Sequence, residues 1–312
     1  MSLLINAKPA HNTKSRTRKR MARQEAITGW IFILPVLIGF FVFTVFSVIY
    51  SSIISFTEWD LLTPQVFVGI KNYVKIFKDE RFWQVLYNTA YFVIGLVPSV
   101  LVVSMLLAIA LNGKVNKLTN FYKISFYMPC ITSTIAVSAV WLWVFNPTNG
   151  MINTLLYAIG FTNVPQWLQS TTWAKPALII MRVWQVCGRY MLMFLAGLQT
   201  IPATLYEAAE VDGAKAWKKF RYITLPMLSN TTFFITIMLI IESFNIFESV
   251  YVMTEGRPAG STNTLLYYIY YNGFQAYRMG YASALAWIMF VMLFVLTFIQ
   301  FRIRSKKELS MF

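Results

Sequence analysis

Arg182, Gln185 and Arg189 stand at i, i+3 and i+7 inside one apolar stretch, and Glu242, Asn245 and Ser249 repeat that spacing inside another. On a helix each set falls on one face. A charge within an apolar span costs roughly 2.5–3.5 kcal/mol on insertion scales, so each needs a partner or a wet surface. Two such stripes facing each other would line a polar path. Arg189 and Glu242 would hydrogen-bond hydroxyls there, and the two arginines could also receive an acidic group. The competing reading is an ion pair that staples two helices and never meets a solute. Arg182, nearer a span end, is the weaker candidate, and Glu248 reads as interfacial.

No covalent chemistry is encoded beside these stripes. A P-loop needs an earlier glycine and a hydroxyl after Gly-Lys, and Asn112-Gly113-Lys114 has neither. With His11 as the single histidine, a histidine-dependent triad is unsupported. Cys130 and Cys187 lie inside apolar runs, so neither a disulfide framework nor a metal site is expected. No catalytic residue and no cofactor are expected. Uphill movement of a solute would draw on an ion gradient or another subunit.

The elements that position these residues are membrane spans. Apolar residues make up 57% of the 312 and charged residues only 12%, which excludes an ordinary soluble domain. Six apolar stretches, near 29–53, 84–112, 121–145, 175–199, 228–252 and 281–303, are each long enough for about 20 helical residues. The expected class is therefore all-α, a polytopic membrane protein with six transmembrane helices.

Most of the 27 Lys and Arg residues fall in four segments: Lys8 to Arg23, then Lys114, Lys117 and Lys123, then Lys215, Lys218, Lys219 and Arg221, then Arg302 to Lys307. With six helices these share one side, so the positive-inside rule puts both termini in the cytoplasm. The net charge of +15 is read as topology rather than nucleic-acid binding, since no motif of that class occurs. The first loop is discordant: Lys71, Lys75, Lys78 and Arg81 fall outside, with Phe77, Phe82 and Trp83 reading as an interfacial helix. The run from Gly29 to Ile53 is too long for a signal-peptide core and reads as an uncleaved first helix. No internal repeat is seen. The expected organisation is a basic segment 1–28, one membrane domain 29–303 and a tail 304–312.

The fourth loop is the most specific segment. Glu207-Ala208-Ala209 is followed after three residues by Gly213, and after nine more by Ile223-Thr224-Leu225-Pro226. Ile201-Pro202 ends the preceding span, the alanines leave a low helix face, and Gly213 permits a tight turn. Pro226 suits the first turn of the next helix. This spacing resembles the signature of permease subunits of bacterial ATP-binding-cassette importers, whose short coupling helix sits in a groove of the ATPase. The likeness covers most of the chain and narrows to carbohydrate-importer permeases. It is carried by Phe67-Val68-Gly69-Ile70-Lys71-Asn72-Tyr73, Asn88-Thr89, Phe145-Asn146-Pro147, Phe194 to Gln199 and Gly280 to Ala284.

The resemblance implies the type I importer fold, with a coupling helix near 203–219. Glu207 would anchor or cap that helix, Ala208 and Ala209 would make the close contact, and Gly213 would set the turn, with Asp212, Leu225 and Pro226 completing the motif. Positions matching Gln185, Val186, Arg189, Leu239, Glu242, Ser243 and Ile246 line the central cavity in maltose-type relatives, although the residue types differ here. Trp141, Trp143, Trp184 and Trp287 read as packing or interface residues ahead of sugar stacking. Implied partners are a second homologous permease, two ATP-binding subunits, an extracytoplasmic solute-binding protein and membrane lipid, in a bacterial cell membrane. The alternatives are an ion-coupled secondary carrier with Glu242 as proton site, an importer of glycerol phosphate or an acidic sugar, and a non-transporting scaffold.

Overall fold

The computed structural model describes residues 11–113 and 117–309, with side chains described over 21–113 and 118–304. Lys8 and Lys114 lie outside the described residues, as do the side chains of His11, Lys14, Arg16, Arg18, Lys19, Arg20, Lys117, Lys306 and Lys307. The chain divides into two units, Met1–Ile54 and Ser55–Phe312.

In the first unit α1 (His11–Gly39) runs through a π-turn, Phe40–Val45, into α2 (Phe46–Ser55). The membrane-competent stretch is Met21–Ser55, longer than the expected 29–53. Its large apolar residues, among them Phe32, Val36 and Phe43, are exposed, as suits a surface solvated by acyl chains.

The second unit starts with an antiparallel pair, β1 (Thr57–Glu58) and β2 (Val66–Phe67), followed by α3 (Lys71–Lys78) and α4 (Glu80–Leu111). Then come α5 (Lys117–Ile131), α6 (Thr134–Val144), α7 (Met151–Ala158), α8 (Ala174–Gln199), α9 (Ala203–Val211) and α10 (Ala216–Lys219). A π-turn, Phe220–Thr224, joins α10 to α11 (Leu225–Met227) and α12 (Ser229–Phe244). The unit closes with α13 (Glu248–Met253), α14 (Leu265–Tyr270), a π-turn Tyr271–Gln275 and α15 (Met279–Leu309).

Four straight helices among the described residues are long and apolar enough to cross a membrane, and two bent helix pairs bring the count to the expected six if each pair is one span. Leu118–Ile131 and Thr134–Val144 meet at 100°, and Ala216–Met227 meets Ser229–Phe244 at 64°. The first bend follows Pro129, which cannot donate to the carbonyl four residues back, and Ser133 then takes the extended backbone that precedes α6. At the second, Pro226 falls in the first turn of α11 as expected, but directly behind a π-turn. The missing Pro226 N–H and the extra residue per turn of that π segment are the local causes of the kink.

α8 is the axis of this unit. Ala177, Leu178, Met181, Tyr190, Met191 and Phe194 are buried along it, in one core with Phe92, Val100, Leu239 and Val250. Inside hydrocarbon such packing gains dispersion rather than release of water, so close approach matters most. Gly188 provides it: a Cβ there would strike the Phe126 carbonyl of α5.

At the end remote from α9 the elements are tied by polar contacts. The Asp79 carboxylate accepts from Arg81 N at 2.9 Å, capping α4, and from the hydroxyls of Tyr268 at 2.7 Å and Tyr281 at 2.8 Å. Partial burial pushes that carboxyl up, but the phenol and backbone donors outweigh it and hold the group below the ordinary Asp value. Asn88 donates to the carbonyls of Gly260 (2.9 Å) and Asn263 (3.0 Å), pinning the loop before α14 to α4. The reading of Phe82 as interfacial is corrected: it is buried against Ile76, Val85 and Leu285, whereas Phe77 and Trp83 stay exposed. Two of the discordant first-loop lysines are paired, Lys71 and Lys75 with Glu58 at 3.2 and 3.4 Å.

Candidate functional site

Two sites emerge, one mid-bundle and one at the end that carries α9. The mid-bundle site is built on α8 and the end of α12. Glu242 projects between Arg182 and Arg189, taking Arg182 Nη2 on Oε1 at 2.8 Å and Arg189 Nη2 on Oε2 at 2.5 Å. Tyr190 OH also donates to Oε2, at 2.7 Å. Arg182 Nη1 donates to Gln185 Oε1 at 2.8 Å, and Gln185 Nε2 donates to Thr134 Oγ1 at 3.2 Å. The network thus runs from the first residue of α6, just after the bend at Ser133, through α8 to α12.

This geometry alters the expected stripes. Arg182, read as the weaker candidate, is the more deeply engaged arginine: its side chain is 10% exposed, against 47% for Arg189 and 23% for Glu242. The second stripe does not exist as one face, because α12 stops at Phe244. Asn245 is exposed and turns its Nδ2 back onto the Ile241 carbonyl at 3.0 Å, competing for the backbone as Asn does at helix ends. Ser249 is buried on α13 after the break. Ser243 is buried with its hydroxyl on the Leu239 carbonyl at 2.7 Å, so it offers nothing to a path. Glu248 is exposed, as an interfacial residue would be.

Tyr190 and Thr134 were not legible as site residues. Tyr190 breaks the helical spacing that marked its neighbours, whereas the polar run Thr132-Ser133-Thr134 inside an apolar stretch was a usable signal. Of the tryptophans, Trp141 packs on Phe145 at 5.0 Å and Trp184 at 5.6 Å, and Trp287 on Phe290 at 5.4 Å, consistent with the packing reading.

At the other site the Glu207 segment forms α9 after Pro202, and the C-terminal turn closes as a Schellman motif. Ala214 N bonds the Ala209 carbonyl at 2.8 Å, and Gly213 N bonds that of Glu210 at 3.0 Å. Gly213 has φ +72°, and no atom lies within 4 Å of where a Cβ would stand, so backbone conformation alone selects glycine. Glu207, Ala208 and Asp212 are exposed, Ala209 half-buried, and Glu207 has no side-chain partner among the described residues. Val211 is 89% and Trp217 71% exposed. Lys219 bonds Glu210 at 2.7 Å, holding that exposed carboxyl below its ordinary range, and Tyr206 OH meets Thr224 Oγ1 at 2.9 Å. These contacts seat α9 on the helix that leads through half-buried Leu225 and exposed Pro226 into α12.

No nucleophile–base pair occurs in either site. The first can hold charge inside the bundle, and the second offers a rigid, uncovered helix.

Similar proteins carry the same arrangement of chain. The family described as binding-protein-dependent transport system inner membrane component matches residues 77–308. The probable ABC transporter permease protein YesP of Bacillus subtilis is 38% identical over 92% of this chain and 94% of its own. The lactose transport system permease protein LacF of Rhizobium radiobacter is 33% identical over 91% and 96%. In fold, the chain matches a solved bacterial ABC transporter involved in the import of the acidic polysaccharide alginate, with a TM-score of 0.80 at 24% identity over 93% of this chain and 99% of that one. A family model that covers most of the chain, and relatives 38% and 33% identical that are themselves permease proteins, place the chain in the binding-protein-dependent transport system inner membrane component family, as an ABC transporter permease subunit.

Proposed function

We propose that this subunit forms half of the translocation path of a carbohydrate importer and receives the ATPase stroke through α9. The observation that carries the coupling role is the state of α9: a short helix closed at its end by Gly213, with Glu207, Ala208, Asp212 and Val211 uncovered. Exposed apolar residues such as Val211 and Trp217 on a charged, water-facing segment suit a partner's groove. Glu207 anchors the helix to that partner, and Ala208 and Ala209 allow close approach. Leu225 and Pro226 pass the motion into α12, whose last turn carries Glu242.

The family's dependence on a binding protein supports an extracytoplasmic solute-binding partner. A second permease and two ATP-binding subunits complete the assembly, with both termini on the ATPase side. In this layout 1–28 is a basic cytoplasmic segment, 29–303 the membrane domain and 304–312 a tail. Carbohydrate as cargo is supported by the lactose relative. Glu207→Lys and Gly213→Val are expected to leave the protein in the membrane while reducing ATPase co-purification and uptake. Unchanged co-purification and uptake would sink the coupling role.

A further inference from the structure

We propose that the solute is a saccharide bearing an acidic group, a carboxylate or sulfate, and that Arg189 receives it; this rests on the carbohydrate reading above. Two guanidinium groups meet one carboxylate in the mid-bundle network, and Glu242 is the sole acid within 4 Å of either among the described residues. Arginine stays protonated in proteins, so the cluster holds one excess positive charge.

The hydrogen bonds decide what it can offer. Both Glu242 oxygens are occupied, Oε1 by Arg182 and Oε2 by Arg189 and Tyr190. Gln185 Oε1 is taken by Arg182 and its Nε2 is committed to Thr134. Arg189 spends only Nη2 on the network and leaves the rest of its guanidinium fork on the exposed side. The uncommitted groups of Arg189 are donors only, so they call for an acceptor. An ionised carboxylate or sulfate is all acceptor and matches the fork.

Lipid is excluded as the neighbour of that exposed face. Arg189 stands in the interior of the 26-residue α8, where a guanidinium facing acyl chains would be expensive. Its open side therefore faces the path or the second permease. An acid from the second permease that neutralised it instead would make the excess charge structural.

The test uses the complete transporter, with both permeases, ATPase and saturating binding protein, in proteoliposomes. ATPase stimulation and uptake are measured with a panel of neutral oligosaccharides and their uronate and sulfated counterparts. The acidic members are expected to be transported in preference to the neutral ones. Arg189→Gln should cut acidic uptake by at least about tenfold, the loss of one hydrogen bond to a charged group, with Arg189→Lys recovering part of it and the thermal midpoint falling less than in Arg182→Ala. Transport of the neutral member at equal or higher rate, or undiminished acidic uptake by Arg189→Gln, overturns the acidic assignment and leaves the carbohydrate reading standing. Failure of every saccharide to stimulate the ATPase overturns the carbohydrate reading and the assignment with it.

Discussion

Glu242 is the residue on which the interior of the bundle turns, because it sits at the end of α12, where a helix terminus already carries partial negative charge. Arg182 offsets that charge in near-complete burial. Removing one partner of a buried pair costs about 3–5 kcal/mol, since the other charge stays behind unpaired. Arg182→Ala is thus expected to lower the thermal midpoint of the detergent-purified protein substantially. Arg182→Met with Glu242→Gln should recover much of the loss, because Arg189 retains water on its exposed side; no recovery would mean that the two side chains are not coupled. A second residue-scale prediction concerns Asp79. Its carboxyl is held below the ordinary value of 3.8, so its stabilising effect is present above that value and fades as pH falls through the lower, folded one. The stability gap between wild type and Asp79→Asn should be open at pH 7 and shrink below about pH 4, as followed by thermal unfolding across pH; a gap of constant size would show that the charge of Asp79 plays no part.

Among the elements, α8 and α9 do opposite things with glycine. Gly188 lets two backbones touch, so Gly188→Ala must push α5 off α8 at a cost of about 1–3 kcal/mol, the usual penalty of overpacking. Since α5 leads into the bend that carries Thr134, uptake should fall along with stability. Gly213 has open space around it, so its constraint is the left-handed backbone, which costs other L-residues about 1–2 kcal/mol and Asn less. Gly213→Asn should accordingly retain more ATPase co-purification than Gly213→Val, and equal behaviour would remove the turn from the argument. The bends follow the same logic of local cause: Pro129 and Pro226 are visible in sequence, but hydropathy averages across them and gives each span's extent without its bend.

At the scale of the whole molecule, the assembly proposed above predicts that some exposed surfaces of this subunit are covered by partners. Phe290, Phe294 and Phe298 stack along α15 with their rings exposed, α9 stands uncovered, and Arg189 is open on one side. Co-expression with the proposed second permease and ATPase is expected to raise the yield of monodisperse, detergent-stable protein several-fold over the chain alone; equal yield would argue against an obligate assembly. Much of this was legible beforehand. Six apolar runs, the absence of any phosphate loop and the spacing from Glu207 to Pro226 are properties of order along the chain, and membrane insertion and a capped helix depend on little else. The network was different. That Glu242 takes both arginines, that Tyr190 and Thr134 join the network, and that Asn245 and Ser249 leave it all depend on where α12 breaks and how closely Gly188 brings α5 to α8. Side-chain spacing fixes which residues share a helix face. Only tertiary packing decides which face meets which, and at hydrogen-bond range a single broken turn reassigns the partners.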